Sequence, residues 1–346
     1  MEFLTEYGLF LAKTLTVVGA LVVVVGGMMA LSAWSRAKAE DHIEVKHLNR
    51  KYENMTLMLQ AVILPQKAFK HVLKAKKQER KAEQKKSKAA DLEMRKRRVF
   101  VLNFRGDIRA SALASLRNEI TAVLTVATPQ DEVVVRLESA GGMVHAYGLA
   151  ASQLARIKNK KIPLTVATDK VAASGGYMMA CVADRILAAP FAVLGSIGVL
   201  VQMPNFHRYL KKNDIDFEQF TAGEYKRTIT LFAENTDQDR QKLKEEIEDI
   251  HLLFKDFIKQ HRPDLDIAKV ATGEHWLGTR ALQLKLVDEL CTSDDYLLEA
   301  SKTADLYEVT HVSKKKLAAR FFSFANKALE HHLLPRLPHA GEERML

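Results

Sequence analysis

The segment from Leu15 to Trp34 constrains this chain more than any other, because it places twenty uncharged, largely apolar residues in one uninterrupted run. At 1.5 Å of rise per residue, a helix of that length spans a hydrocarbon core of about 30 Å. The run, residues 15–34, therefore reads as a transmembrane helix, with Trp34 suited to the membrane–water interface. A cleaved signal peptide is the alternative, and Ala30-Leu31-Ser32 would pass as its cleavage site. The short flank 1–14 argues against it: Glu2 and Glu6 stand against one basic residue, Lys13, where a signal peptide needs a positive start. An uncleaved anchor is the expectation.

The chain beyond the anchor is basic. The net charge of +10 is concentrated between Lys67 and Arg98, in a run that ends in Arg95-Lys96-Arg97-Arg98. No aromatic interleaving or base-reading module accompanies that charge. Nucleic acid is therefore not an expected partner, and anionic lipid headgroups fit better beside an anchor. Residues 35–98 read as a juxtamembrane linker or solvated helix interrupted at Pro65. Lys74 to Arg98 is rich in helix formers but has no apolar stripe to bury. Arg36, Lys38 and the basic run favour a cytoplasmic side for the carboxyl-terminal domain, yet large domains translocate largely regardless of charge, and the side stays open.

Residues 99–312 read as the folded domain. Val99 to Phe104 and Glu132 to Leu137 have the apolar content of buried strands, with an amphipathic helix from Ser111 to Val126 between them. A helix from Tyr147 to Ile157 leads to a strand from Ile162 to Ala167. Asp237 to Gln260 reads as a long helix with Ile247, Ile250, His251, Phe254, Phe257 and Ile258 along one side. Alternating strands and helices predict an α/β domain with a parallel sheet. Residues 313–346 form a basic tail with Pro335 and Pro338, expected to be disordered past about His331.

Candidate chemistry concentrates in the run from Val171 to Asp184. Its one hydroxyl, Ser174, lies between small residues and precedes Gly175 and Gly176, which open an apolar helix. A helix that starts just after a serine directs free N–H groups, and the positive end of its dipole, at the atom the serine attacks. Oxyanion holes are built this way. The plainer reading makes Ser174 a helix N-cap. Upstream, a β-branched run ends at Gly141 and Gly142, where a backbone N–H can approach a substrate closely. Ligand sites on open α/β sheets lie at such strand ends. Downstream, Leu194-Gly195-Ser196-Ile197-Gly198-Val199 follows another short strand, and Gly223-Glu224-Tyr225-Lys226-Arg227 carries a lysine in a loop. No histidine lies between His145 and His207, and His145 reads as a surface residue. Cys181 and Cys291 are too few for a disulfide framework. No Cys/His cluster and no phosphate-binding glycine fingerprint is present, so neither metal nor nucleotide cofactor is expected.

In order, Arg136-Leu137-Glu138-Ser139-Ala140-Gly141-Gly142, then Ala172 to Tyr177, then Gly195 to Val199, then Gly223 to Arg227 resemble the motifs of the signal peptide peptidase A family of membrane serine peptidases. The single-copy length and amino-terminal anchor are most similar to its SohB branch. The resemblance runs from about Val99 to Leu290 and includes Trp276 to Leu290. It implies a crotonase-like fold shared with the Clp protease, and a bacterial inner membrane protein with an extracytoplasmic catalytic domain. It also implies a Ser/Lys mechanism in which Ser174 is the nucleophile, Lys226 the general base and Ser196 a hydrogen-bond partner of the lysine. Gly141, Gly142 and Gly175 would surround the oxyanion. Implied substrates are hydrophobic peptides, such as signal-peptide remnants or membrane-protein fragments. Because the chain carries one copy of the unit, the resemblance further implies a homo-oligomer in which neighbouring protomers supply the serine and the lysine.

A lysine at the reference pKa of about 10.4 stays protonated near neutral pH, so a lysine base requires a dry pocket away from carboxylates. Two rival functions stand beside this one. A crotonase-like acyl-CoA enzyme would use the same glycine N–H groups without needing Ser174 or Lys226, and a membrane scaffold would need no catalysis at all.

Overall fold

A computed structural model of the protein describes residues 2–38, 41–89, 96–223 and 225–312. The chain divides into two compact units, one of residues 44–310 and one of residues 1–43 with 311–346. The main described element of the smaller unit is helix α1 (Glu2–Lys38). Within it, Thr5–Val23 is long and apolar enough to cross a membrane. The side chain of Trp34 and the whole tail 313–346 lie outside the described residues.

The larger unit is built on a sheet of ten strands. In chain order these are β1 (His42–His47), β2 (Arg98–Gly106), β3 (Glu132–Ser139), β4 (Leu164–Thr168), β5 (Val171–Ala173), β6 (Arg185–Ala188), β7 (Val193–Gly195), β8 (His275–Leu277), β9 (Glu289–Leu290) and β10 (Asp305–Val312). The main path runs β1-β10-β2-β3-β4-β6-β9, and pairing is parallel from β10 to β9. Val135 on β3 pairs with Leu102 on one side and Val166 on the other. Residues 133 to 135, all valine, are all buried, as expected of a strand covered on both faces, and this is why the sequence there is continuously apolar rather than alternating.

Helices α4 (Leu113–Leu124) and α5 (Val144–Asn159) follow β2 and β3. Each buries residues at helical spacing: Leu116, Ile120 and Val123 on α4, and Tyr147, Ala150, Ala151, Leu154 and Ile157 on α5. The sheet core is pinned at its base by a two-pronged ion pair. Arg98 Nε donates to Asp131 Oδ1 at 3.0 Å and Nη2 to Oδ2 at 2.7 Å, while the Thr128 N–H donates to the same carboxylate at 2.8 Å. Burial works against the charge on Asp131, but Arg98 and Thr128 outweigh it and hold the carboxyl down at about 2.

At the end of β3 the sheet forks. Ser139 pairs with Ala172 of β5, β5 continues in parallel to β7, and β7 closes antiparallel on β8. This side ribbon carries three of the four motifs, so the fork positions the site.

The domain begins earlier than residue 99. The region read as a linker holds β1, helix α2 (Leu48–Ile63) and helix α3 (Gln66–Ala89), with the break at Leu64 and Pro65. Leu48 is buried in a core cluster with Val99, Val101 and Leu306. Asn49 donates to the carbonyls of Ser301 and Ala304 at 3.0 and 2.9 Å and accepts from the Leu306 N–H at 2.7 Å. The strand His-Ile-Glu-Val-Lys-His is too short and too charged to be read as one without its partners. Residues 90–95 lie outside the described residues. The long helix α8 (Asp237–His261) opens on a capping box between Thr236 and Asp239. On its expected apolar side only Phe254 and Ile258 are buried; Ile247, Ile250, His251 and Phe257 are half-buried.

Candidate active site

Ser174 joins β5 to the short helix α6 (Gly175–Ala180) at φ +52° and ψ −121°. A residue with a Cβ is strained there by roughly 1–3 kcal/mol and stays only where its surroundings enforce it. The Ser174 N–H donates to the Gly195 carbonyl at 2.7 Å, and the Ser174 carbonyl accepts from the Met178 N–H at 3.0 Å. A sharp strand-to-helix turn of this kind pushes the side chain out of the backbone's hydrogen-bonding path, as at a nucleophile elbow. The Ser174 hydroxyl makes no capping bond to α6, so the N-cap reading does not hold. The helix is shorter than the sequence suggests because Asp184 must return to β4: its N–H donates to the Leu164 carbonyl and its carboxylate accepts from the Leu164 N–H, both at 2.9 Å.

The Gly141–Gly142 turn touches the Ser174 turn. Gly141 has φ +90°, and a Cβ on it would lie 2.7 Å from the Gly175 nitrogen and 2.8 Å from Ser174 Cβ. No L side chain fits. The Gly141 N–H donates to Ser139 Oγ at 3.1 Å, and the Met143 N–H donates to the Ile108 carbonyl at 2.9 Å. Between those two tied groups, the N–H of exposed Gly142 has no hydrogen bond among the described residues. Within the turn, then, the Gly141 N–H is already engaged and that of Gly142 is not. Gly175, the first residue of α6, has no intrahelical acceptor for its own N–H. A Cβ on Gly175 would stand 2.5 Å from Cγ of Tyr147, whose ring backs it.

Ser196 lies one strand over. Ala173 pairs with Gly195, and just beyond that pair both chains turn off, Ser174 at φ +52° and Ser196 at φ +51°. The Ser196 N–H donates to the Glu274 carbonyl at 2.6 Å. Three motifs thus converge on one end of the ribbon β3-β5-β7.

No hydrogen bond ties the fourth motif to them among the described residues. Lys226 is exposed, and its N–H donates to the Gly223 carbonyl at 3.2 Å. Among the described residues no hydrogen bond or ion pair links its side chain to Ser174 or Ser196, so the expected Ser196–Lys226 bond is not made inside one chain. Arg227 is exposed too, and Glu224 lies outside the described residues. The segment around Lys226, which includes helix α7 (His207–Lys212), exposes Leu200, Val201, Tyr209, Ile215, Phe217, Phe220 and Tyr225.

Cys181 is buried, and burial pushes its thiol up, away from reactivity. His145 is exposed. Among the described residues no group of His, Cys, Asp and Glu side chains is placed to hold a metal ion. The sequence reading missed Tyr147, a fully buried side chain on α5. Its Oη lies 2.6 Å from Ser139 Oγ and donates to the Asp107 carbonyl at 2.7 Å. Ser139 was in plain view inside the first glycine motif, but only the structure links it to a tyrosine eight residues on.

Comparison with known proteins identifies the family. Residues 2–154 match the family model described as "Peptidase family S49 N-terminal", and residues 156–307 match "Peptidase family S49". The "Probable protease SohB" of Haemophilus influenzae is 49% identical over 92% of each chain. Proteins of the same description from Buchnera aphidicola subsp. Acyrthosiphon pisum and subsp. Schlechtendalia chinensis are 53% and 43% identical. They cover 70% and 86% of this chain and 72% and 99% of their own. These relatives favour peptide hydrolysis over acyl-CoA chemistry or a scaffold. The first match takes in the early strand β1 and the Gly141–Gly142 turn, and the second spans the strained Ser174, the Ser196 turn and the lysine loop: the chain belongs to peptidase family S49.

Proposed function

We propose that this peptidase is a membrane-anchored serine endopeptidase in which Ser174 attacks the substrate carbonyl and Lys226 of the partner subunit accepts its proton. The oxyanion that forms is held by the N–H groups of Gly142 and Gly175. The protonated lysine then returns its proton to the departing amine, leaving an acyl-enzyme. Water, deprotonated by the same lysine, releases the acid product and restores Ser174. Ser196, next to Ser174 at the ribbon end, holds the incoming lysine. The chemistry needs no cofactor.

The observation that carries this reading is the strained Ser174, its hydroxyl free of any capping bond and its turn in contact with the Gly141–Gly142 turn. The partner's role is supported by the exposure of Lys226 in a segment rich in uncovered apolar side chains. Ile108, Met143 and Val144, all exposed beside Gly142, give the site an apolar rim, which suits hydrophobic peptides. Helix α1 supplies the anchor in a bacterial inner membrane.

The test is fluorophosphonate labelling of the purified protein with mapping of the modified residue, together with subunit mixing. Labelling of Ser174, inactivity of Ser174→Ala and Lys226→Ala alone, and recovery of part of the activity when the two are mixed into common oligomers are the expected results. Modification of a different serine with loss of activity rejects the nucleophile. Verified mixing of the two variants without recovered hydrolysis rejects the shared site.

A further inference from the structure

The two N–H groups assigned to the oxyanion belong to different elements, Gly175 to the start of α6 and Gly142 to the turn after β3. Their spacing must be set by something that touches both. The Tyr147 side chain does so. Its ring lies against Gly175 so closely that a Cβ there would stand 2.5 Å from Cγ. Its hydroxyl reaches the other turn through Ser139.

The direction of each bond in that chain is fixed. A backbone carbonyl only accepts, so the single Tyr147 proton goes to the Asp107 carbonyl at 2.7 Å. The Ser139 hydroxyl, 2.6 Å from Tyr147 Oη, must then donate to it. Ser139 Oγ is left as the acceptor for the Gly141 N–H at 3.1 Å. The chain therefore runs one way, from Gly141 through Ser139 and Tyr147 to Asp107, with each group satisfied once. Ser139 and Tyr147 are both buried. Gly106 closes the space above them, since a Cβ there would meet both hydroxyl oxygens.

Asp107 also shapes the opposite wall. Its carboxylate accepts from the N–H groups of Arg109 and Ser111 at 3.1 and 2.8 Å. That turn presents the Ile108 carbonyl to the Met143 N–H at 2.9 Å. The turn is thus tied on both sides of Gly142, by Ser139 at residue 141 and by Ile108 at residue 143, and both ties trace back to residue 107.

From this we infer that Tyr147, acting through Ser139, is a positioning residue that sets the distance between the Gly142 and Gly175 N–H groups and hence the fit of the oxyanion. The inference rests on the proposed Ser174 mechanism. Tyr147→Phe keeps the ring against Gly175 and removes the hydroxyl alone, leaving Ser139 without its acceptor and the Gly141 turn free to shift.

The test uses the full chain, with rates counted per active site titrated by fluorophosphonate so that misfolded molecules drop out. In Tyr147→Phe, kcat per titrated site falls about 10- to 100-fold, the affinity for a peptide aldehyde that forms an oxyanion on Ser174 falls in parallel, and KM stays within about twofold. Ser139→Ala gives the same pattern, and the double variant is no worse than either single one, because one relay is broken only once. Unchanged kcat per site and unchanged aldehyde affinity, or fully additive losses, overturn the inference. Should Ser174→Ala keep wild-type activity in the same assay, the Ser174 mechanism itself fails, a result separate from the first.

Discussion

The two halves of the proposed site are built in opposite ways. Around Ser174, the backbone of β5, β7 and α6 is tied residue by residue, and Tyr177, Met179 and Leu194 are fully buried. Around Lys226, Phe220 is 89% exposed and Leu200 74% exposed. The order there comes from a small cluster of Phe206, Phe217 and Phe232 and from Asn205, which donates to the carbonyls of Thr230 and Ala233 at 3.0 Å each. The first half is stabilised by its own chain. The second presents apolar surface of a kind that monomers seldom leave uncovered, and such surface marks a place where another molecule packs. In the proposed mechanism, a base that works only when dry would sit on the half that the partner subunit covers.

The largest effects test the chemistry assigned to each half. Ser174→Ala and Lys226→Arg are each expected to lower kcat by roughly 10⁴-fold or more, the latter because a guanidinium does not give up its proton. Wild-type turnover in Lys226→Arg would remove the lysine half from the mechanism altogether.

Next comes a change confined to the rigid half. Gly141→Ala places a Cβ against Ser174 and Gly175 at φ +90° and is expected to cost about 10²- to 10³-fold in kcat. Steady-state kinetics checks this, and a variant within threefold of wild type would mean that the two turns do not act together.

Acid should act on the base of the sheet that carries this half. The Asp131 carboxyl, 1% exposed, is held at about 2 in the folded protein, against a reference near 3.9. A depressed carboxylate contributes stability that is present above its unfolded pKa and is lost as pH falls through the folded value. The window is therefore about pH 4 down to pH 2, and roughly 2–3 kcal/mol is at stake. Urea melts across that window should show the loss in the wild type and a smaller one in Asp131→Asn, whose starting stability is lower.

The smallest effect on folding is expected in the exposed half. Phe220→Ser should change the stability of the isolated chain by no more than about 0.5 kcal/mol while weakening self-association and activity. Sedimentation velocity alongside thermal melts separates the two. A large loss of stability in the dissociated chain would show that this segment is held from within, and the contrast between the halves would disappear.

The α/β pattern, the strands at 99–104 and 132–137, the helix between them and the glycine turns were legible in the sequence. Buried parallel strands carry continuous apolar runs and turns need glycine, so local composition was enough. The strand His42–His47 was not legible, since a charged six-residue segment becomes a strand only through its neighbours. Nor was the short α6, whose length is decided by Asp184 binding back to Leu164.

The sequence by itself determined which residue types stand where the chemistry needs them: one serine before two glycines, a second glycine pair after a strand, and a lysine in a loop. Only the tertiary structure decided that the Gly141 N–H is tied to Ser139, that the free N–H belongs to Gly142, and that Tyr147 reaches both turns. Those assignments depend on hydrogen bonds and van der Waals contacts between residues far apart in the chain, and no local pattern encodes the direction of a bond or the space left for a Cβ. That no hydrogen bond joins Lys226 to Ser174 or Ser196 among the described residues belongs to the same class: spacing along a sequence says nothing about which surface a loop will meet.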